Sequence, residues 1–201
     1  MDEKDDFVLK EAIIKYLPAM TAEEYLRWED RQEQRHEFVD GEIIKIDAAT
    51  ISHSRILMTI TGEIRSFLDR KKCEVFPNTL RVFAKSRKSY FYPDATIFCD
   101  EPESIEESQE TYKNPSVIFE VLSPPTIDYD MGRKMFFYMQ IESLKEYIVI
   151  HSKKMEVRTG RRLADNSWKF DFFTEPSDQL TIETIGFAIK LSEIYSGVNL
   201  K

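Results

Sequence analysis

Two carboxylates stand where carboxylates are uncommon. Asp94 lies in YFYPDATIFC and Glu120 in SVIFEVLS, runs whose other residues read as apolar strand. Burying an unpaired charge is costly, so a carboxylate in such a place is paired, protonated or bound to a metal. Side chains alternate along a strand, which groups Tyr92, Asp94 and Thr96 on one face and Ile118, Glu120 and Leu122 on another. If the two strands are neighbours, the carboxylates converge. A convergent pair suits a hard divalent cation such as Mg2+, which takes oxygen ligands and keeps several waters. Such a cation can activate water and neutralise charge on a phosphoryl oxygen. The same pattern fits two structural carboxylates, each capping a strand end or paired with an arginine.

Other residues add or remove chemistries. His53 stands where a helix is expected to begin. There it can bond a metal-bound water or a phosphate oxygen, or simply bond the backbone of the helix N-terminus. His36 and His151 read as structural or exposed. Cys73 and Cys99 are isolated, and the chain has no CxxC or HxxxH spacing for a zinc site. The run RVFAKSRK carries Arg81, Lys85, Arg87 and Lys88 without an acid, and Arg55, Arg65, Arg70, Lys71 and Lys72 can extend it. A local basic patch can guide nucleic acid even on an acidic protein. A charge run is equally the ordinary make-up of a solubilising surface.

The elements that must position these groups follow from capping and periodicity. Thr21 with Glu24 is a capping box that starts a helix ending near Glu29 to Arg35. HEFVDGEIIKID, His36 to Asp47, carries the hairpin signal Asp40-Gly41. Ile56, Leu57, Ile60, Ile64, Phe67 and Leu68 recur at helical spacing and predict a helix over His53 to Arg70. Strands are expected over Glu74 to Ala84, Tyr90 to Cys99 and Ser116 to Leu122, the last stopped by Pro124-Pro125. The acidic stretch Glu101 to Glu110 reads as a loop or a short solvated helix. A helix is expected over Asp128 to Ile141 with Met131, Met135, Tyr138 and Met139 inward. Glu146 to Ile150 then pairs with Lys154 to Thr159. Strands follow around Trp168 to Phe173 and Leu180 to Ile182, and Ile189 to Tyr195 closes the chain as a short helix. The expectation is an N-terminal arm over 1–18 and one α/β domain over 19–201.

YPD at Tyr92 to Asp94, EVLSPPT at Glu120 to Thr126, and the downstream DMGRK with Tyr138 resemble the Uma2 family of restriction-endonuclease-like proteins. MTAEEYL, HEFVDGE, His53, LKEYIVI and the Trp168 region extend the resemblance from about Met20 to Tyr195. The resemblance implies a PD-(D/E)XK core, a mixed central β-sheet flanked by helices, here with an N-terminal β-hairpin. It implies a metal-dependent endonuclease in which Asp94, Glu120 and the Val121 carbonyl hold Mg2+, with Mn2+ as a substitute. The lysine of the general motif falls at Leu122, where this sequence departs from it. The resemblance offers Lys134 in its place, to orient the attacking water or stabilise phosphoryl charge, against the plain reading of a solvated helix lysine. Glu37 matches an early acidic position that supports the metal or its water, and Glu42 is expected to be exposed.

Bulk properties bound these readings. The 201 residues, 42% hydrophobic and 32% charged, with 14 Phe and 9 Tyr, describe a chain able to bury a sizeable core. No stretch reaches the length of a membrane span, and the acidic start MDEKDDFVLK is no secretory signal. With isolated cysteines, a reducing cytoplasm is the expected location. The net charge of −8 runs against a tight nucleic-acid binder and requires any basic face to be local. DNA is the expected substrate, and a homodimer is compatible with the sequence. A nuclease-fold module without activity and a metal-independent glycosidase using the carboxylate pair are the competing readings.

Overall fold

The computed structural model describes residues 20–46, 48–69, 71–123, 127 and 129–200. The expected arm over 1–18 lies outside the described residues, as do Asp47, Arg70, the Pro124-Pro125 stop, Thr126 and the Asp128 helix start. Helix α1 (Ala22–Glu29) opens on the expected capping box: Thr21 Oγ1 accepts the Glu24 N–H, and Glu24 accepts the Thr21 N–H. Strands β1 (His36–Val39) and β2 (Glu42–Lys45) turn through Asp40 and Gly41. These two sit at φ 53° and 88°, the left-handed pair that a two-residue hairpin demands. Helix α2 (Ile51–Phe67) starts slightly earlier than expected. Thr50 caps it by accepting the His53 N–H, so His53 lies inside the first turn.

Four short strands replace two long ones: β3 (Glu74–Pro77), β4 (Arg81–Ala84), β5 (Ser89–Phe91) and β6 (Ala95–Phe98). The first expected strand ends after Pro77, where Thr79 turns back to bond its carbonyl, and the second breaks at Pro93, which has no N–H to give a ladder. β3 and β6 then join one sheet while β4 and β5 join another. The Asn78 N–H donates to the Asp94 carbonyl at 2.6 Å and ties the two crossings together. Asp94 therefore sits at a crossing between sheets rather than inside a strand, which corrects the expected shared face of Tyr92, Asp94 and Thr96.

The acidic stretch after β6 is also strand: β7 (Ser104–Ile105) and β8 (Ser108–Tyr112) form an antiparallel pair. β9 (Val117–Leu122) follows as expected. The expected long helix is a π-helical turn, Tyr129–Lys134, running into the short helix α3 (Met135–Tyr138). The remaining elements are β10 (Glu146–His151), β11 (Val157–Arg162), β12 (Trp168–Phe173), β13 (Gln179–Ile182), β14 (Phe187–Lys190) and α4 (Leu191–Ile194).

The strands make two mixed six-stranded sheets and a ribbon. The first sheet runs β2-β1-β5-β4-β8-β7, the second β12-β11-β10-β9-β6-β3, and β13 pairs with β14. Within the second sheet β9 and β10 are parallel, and β6 is antiparallel to β9 with Ala95 opposite Phe119. Alternation along β9 splits its side chains between two cores. Val117, Phe119 and Val121 pack with α2 and α4, whereas Ile118 and Leu122 pack with α3 and the first sheet. Glu120 shares the second of these faces.

Cys73 and Cys99 form a disulfide. The register that sets Glu74 opposite Phe98 brings the two cysteines face to face at the next position, a proximity invisible in their 26-residue separation. They are not isolated, and the expectation of a reducing compartment loses the support it drew from them. Among the described residues, no helix is long and apolar enough to cross a membrane.

Candidate active site

Glu120 sits near the C-terminal end of β9 and is almost fully buried, at 3% exposure. Lys134 comes to it from the π-helical turn. Its Nζ lies 2.9 Å from Glu120 Oε1, 2.9 Å from Glu37 Oε1 and 3.4 Å from Asp130 Oδ1. The Glu120 contact is a hydrogen bond, and the other two are ion pairs. Lys134 is 6% exposed, so the reading of a solvated helix lysine does not hold. Two tyrosines complete the cluster: Tyr138 donates to Glu120 Oε1 at 3.0 Å and Tyr129 to Glu37 Oε2 at 2.8 Å. The Tyr92 N–H also donates to Glu37, at 3.0 Å, and fixes it from the β5 side.

The π-helical turn explains how Asp130 and Lys134 both reach inward. Its wider winding buries these two while Met131 and Met135 stay only half-buried, contrary to the expected methionine-lined inner face. Such turns are rare and concentrate at functional sites. The Tyr147 hydroxyl donates to the Asp130 carbonyl at 3.0 Å and anchors the turn to β10.

Asp94 approaches from the sheet crossing. Its Oδ2 accepts the Val121 N–H at 2.7 Å, so the carboxylate continues the β6–β9 ladder where the backbone of β6 has ended. Its Oδ1 lies 3.0 Å from His53 Nε2. His53 Nδ1 is buried and has no hydrogen-bond partner among the described residues. The carbonyl of a strand residue leaves on the same edge as its N–H, so the Val121 oxygen also faces the Asp94 side.

The charges do not balance. Burial raises the Glu37 carboxyl pKa against the pull of Lys134. Burial raises Glu120 well above the carboxylate range, with the Asp130, Asp94 and Glu37 charges adding to it and Lys134 opposing. Burial works against the Lys134 charge, but Glu120 and Glu37 outweigh it and hold its pKa well above the ordinary lysine value. Burial next to Glu37 and Glu120 likewise raises the Tyr129 and Tyr138 hydroxyls. One ammonium thus faces three buried carboxylates, with Asp94 close enough to perturb Glu120. A bound cation, or a proton on one of the carboxyls, would relieve this crowding. Both described hydrogen bonds to Glu120 fall on Oε1. Among the described residues no three His, Cys, Asp or Glu side chains form a ready-made cation cage. Mg2+ does not need one, because it commonly takes one or two carboxylates and keeps its waters. Asp94, Glu120 and the Val121 carbonyl fit that requirement.

The structure thus brings together Asp94, Glu120, Lys134, Glu37 and His53. Sequence reasoning missed Asp130 and Tyr129, although an acid and a base four residues apart in DYDMGRK was a usable signal. Leu122 is buried apolar core and supplies no cation. Glu42 is half-buried and paired with Arg133, not free at the surface. His36 bonds Glu29 at 3.1 Å, and His151 Nδ1 accepts the Lys153 N–H at 3.0 Å. Of the basic run, Arg81 is buried on Thr111, Tyr92, Asp30 and Ser108. Lys85, Arg87 and Lys88 are exposed around the β4–β5 turn, with Arg87 on Asp40 and Lys88 on Glu23. Arg55 bonds the Gly197 carbonyl and Lys72 pairs with Asp100.

Comparison with known proteins agrees with this architecture. A sequence model of the Uma2 family, described as "Putative restriction endonuclease", matches residues 22–192. "Uncharacterized protein slr1290" of Synechocystis is 30% identical over 181 residues, covering 90% of this chain and 94% of that protein. "Uncharacterized protein sll1609" of the same organism is 33% identical over 149 residues, covering 74% and 84%. The crystal structure of a protein from Anabaena variabilis, described as a putative nuclease belonging to DUF820, superposes with a TM-score of 0.75 at 17% identity. It covers 89% of this chain and 99% of its own, which establishes the shared fold.

Proposed function

The chain belongs to the Uma2 family, and we propose that it is a divalent-metal-dependent endonuclease that hydrolyses phosphodiester bonds in DNA. The observation that carries this reading is the buried Lys134 ammonium held between Glu37 and Glu120, with Asp94 beside them. A buried acid surplus around one lysine is expensive as plain structure and useful as a cation site. Mg2+ or Mn2+ would be held by Asp94, Glu120 and the Val121 carbonyl, and when bound supplies charge neutralisation and a water of lowered pKa.

The protein's own groups do the rest. Lys134 takes the place of the motif lysine absent at Leu122. Its weakest contact, to Asp130 at 3.4 Å, is the one it exchanges to reach a water or a phosphoryl oxygen. Glu37 and Tyr129 hold that ammonium in place. His53 orients Asp94 through Nε2, and Tyr138 orients Glu120. Lys85, Arg87 and Lys88 are the exposed cations available to the phosphate backbone on this otherwise acidic chain.

Cleavage of plasmid and single-stranded DNA with Mg2+ or Mn2+ tests the reading, comparing wild type with Asp94→Ala and Glu120→Ala. Metal-dependent cutting that disappears in both variants is the expected result. A folded wild type that neither cuts nor binds Mg2+ by calorimetry overturns the catalytic reading and leaves a nuclease fold used for binding.

A further inference from the structure

The second sheet ends on β12, whose outer edge is unpaired among the described residues. Along this strand Trp168, Phe170 and Phe172 alternate to one face and Lys169, Asp171 and Phe173 to the other. Phe170 is 45% exposed and Phe172 63%. They border an apolar groove of about 190 Å3 whose far wall is Met131 and Met135 of the π-helical turn and α3. Local contacts seat these rings without covering them. Phe170 lies over Gly160, where a Cβ would meet its ring at 2.9 Å, and the Arg158 guanidinium stacks 4.9 Å from Phe172.

An unpaired apolar edge is a template for strand addition, and edge lysines ordinarily deter it. Here Asp171 stands two residues from Lys169 and makes the edge complementary to itself. In an antiparallel pairing centred on Phe170, Lys169 of each copy opposes Asp171 of the other, and Trp168 opposes Phe172. A slip of one residue turns the aromatic row of one copy to the charged row of the other. Centring on Lys169 or Asp171 sets like charges opposite each other. A single register therefore satisfies both faces. The existing contacts of Asp171, with Lys169 at 3.0 Å and Arg161 at 3.7 Å, are partly exposed pairs that exchange partners at little cost.

We infer that β12 is a homodimer interface, where a second copy adds its own β12 antiparallel about a two-fold axis at Phe170 and joins the two second sheets into one. Such an interface is isologous. A six-residue strand alone falls short of the roughly 800 Å2 per partner of a standard interface, so the aromatic flank and the methionine groove must also be covered.

Sedimentation of the full chain at micromolar concentration tests this, with circular dichroism melts to verify folding. Wild type is expected to be a dimer. Lys169→Asp and Asp171→Lys each place like charges opposite one another twice and should weaken dimerisation about tenfold or more. Mixing the two variants restores complementary charges and should regenerate a heterodimer, and the double swap Lys169→Asp with Asp171→Lys should self-associate again. A monomeric wild type overturns the inference, as does a dimer indifferent to both single substitutions. Loss of dimerisation without recovery on mixing or in the double swap overturns the register.

Discussion

Two glutamates lie buried in the neighbouring parallel strands β9 and β10. Glu120 is 3% exposed and Glu146 2%. Glu146, at the start of β10, accepts the backbone N–H groups of Glu183 and Thr184 at 3.1 and 2.8 Å. It is a latch that holds the turn between β13 and β14 with main-chain donors. Glu120, near the other end of the pair, is met by a lysine and a tyrosine hydroxyl and is surrounded by further carboxylates. Burial of an acid in a strand therefore does not by itself mark a site. The distinguishing feature is what answers the charge. Fixed backbone dipoles satisfy Glu146 locally, whereas Glu120 shares one ammonium with two further buried acids.

The most severe way to break this contrast is to remove its one buried ammonium. Lys134→Ala removes the ammonium that Glu37 and Glu120 share and should cost about 3–5 kcal/mol in denaturant unfolding. Glu120→Gln should lower metal-dependent cleavage by on the order of a thousandfold. It should not lower the melting temperature of the metal-free protein, because it relieves acid crowding while keeping an acceptor for Tyr138. Saturating Mg2+, at about 100 times its dissociation constant, should stabilise wild type by about 2.7 kcal/mol, read as a rise in melting temperature. Asp94→Ala should lose that rise and Glu146→Gln should keep it. Glu146→Gln should behave oppositely to Glu120→Gln, losing about 1–3 kcal/mol of stability with unchanged cleavage per folded molecule. Tyr138→Phe should show the smallest effect, about 1 kcal/mol. A Glu120→Gln protein that melts well below wild type without metal, or a Glu146→Gln protein that fails to cleave, would erase the distinction.

The parts of the molecule legible from sequence are those decided by local chemistry. Thr21 with Glu24 announces α1, Asp40-Gly41 announces the β1–β2 hairpin, and the spacing of Ile56, Ile60 and Ile64 announces α2. That Asp94 and Glu120 need partners was also legible, because an acid in an apolar run demands one; the partners themselves, the Val121 N–H and His53 for Asp94 and Lys134 and Tyr138 for Glu120, were not all foreseen. The partition of strands was not. Apolar residues continue on both sides of Pro93, and the pattern does not record that β5 and β6 diverge into different sheets. Residues 101–110 read as a loop or short solvated helix because their side chains in β7 and β8 are mostly polar and at least partly exposed; the buried ones of these strands are Ile105 and Thr111. The π-helical turn escaped because a period of 3.6 places Met131 inward, whereas the wider turn gives that place to Asp130 and Lys134. The cysteine pair depends on strand register, which spacing alone does not reveal.

That same turn faces two ways. Asp130 and Lys134 look toward Glu120, while Met131 and Met135 wall the groove beside β12. Few residues separate the two faces, so the groove and the carboxylate cluster share one stretch of backbone. If the proposed cation site and the proposed interface each favour one geometry of this turn, thermodynamic linkage would make the two answerable to each other. A cation or substrate acting from the Lys134 side would then shift self-association by the factor with which self-association would shift its own binding.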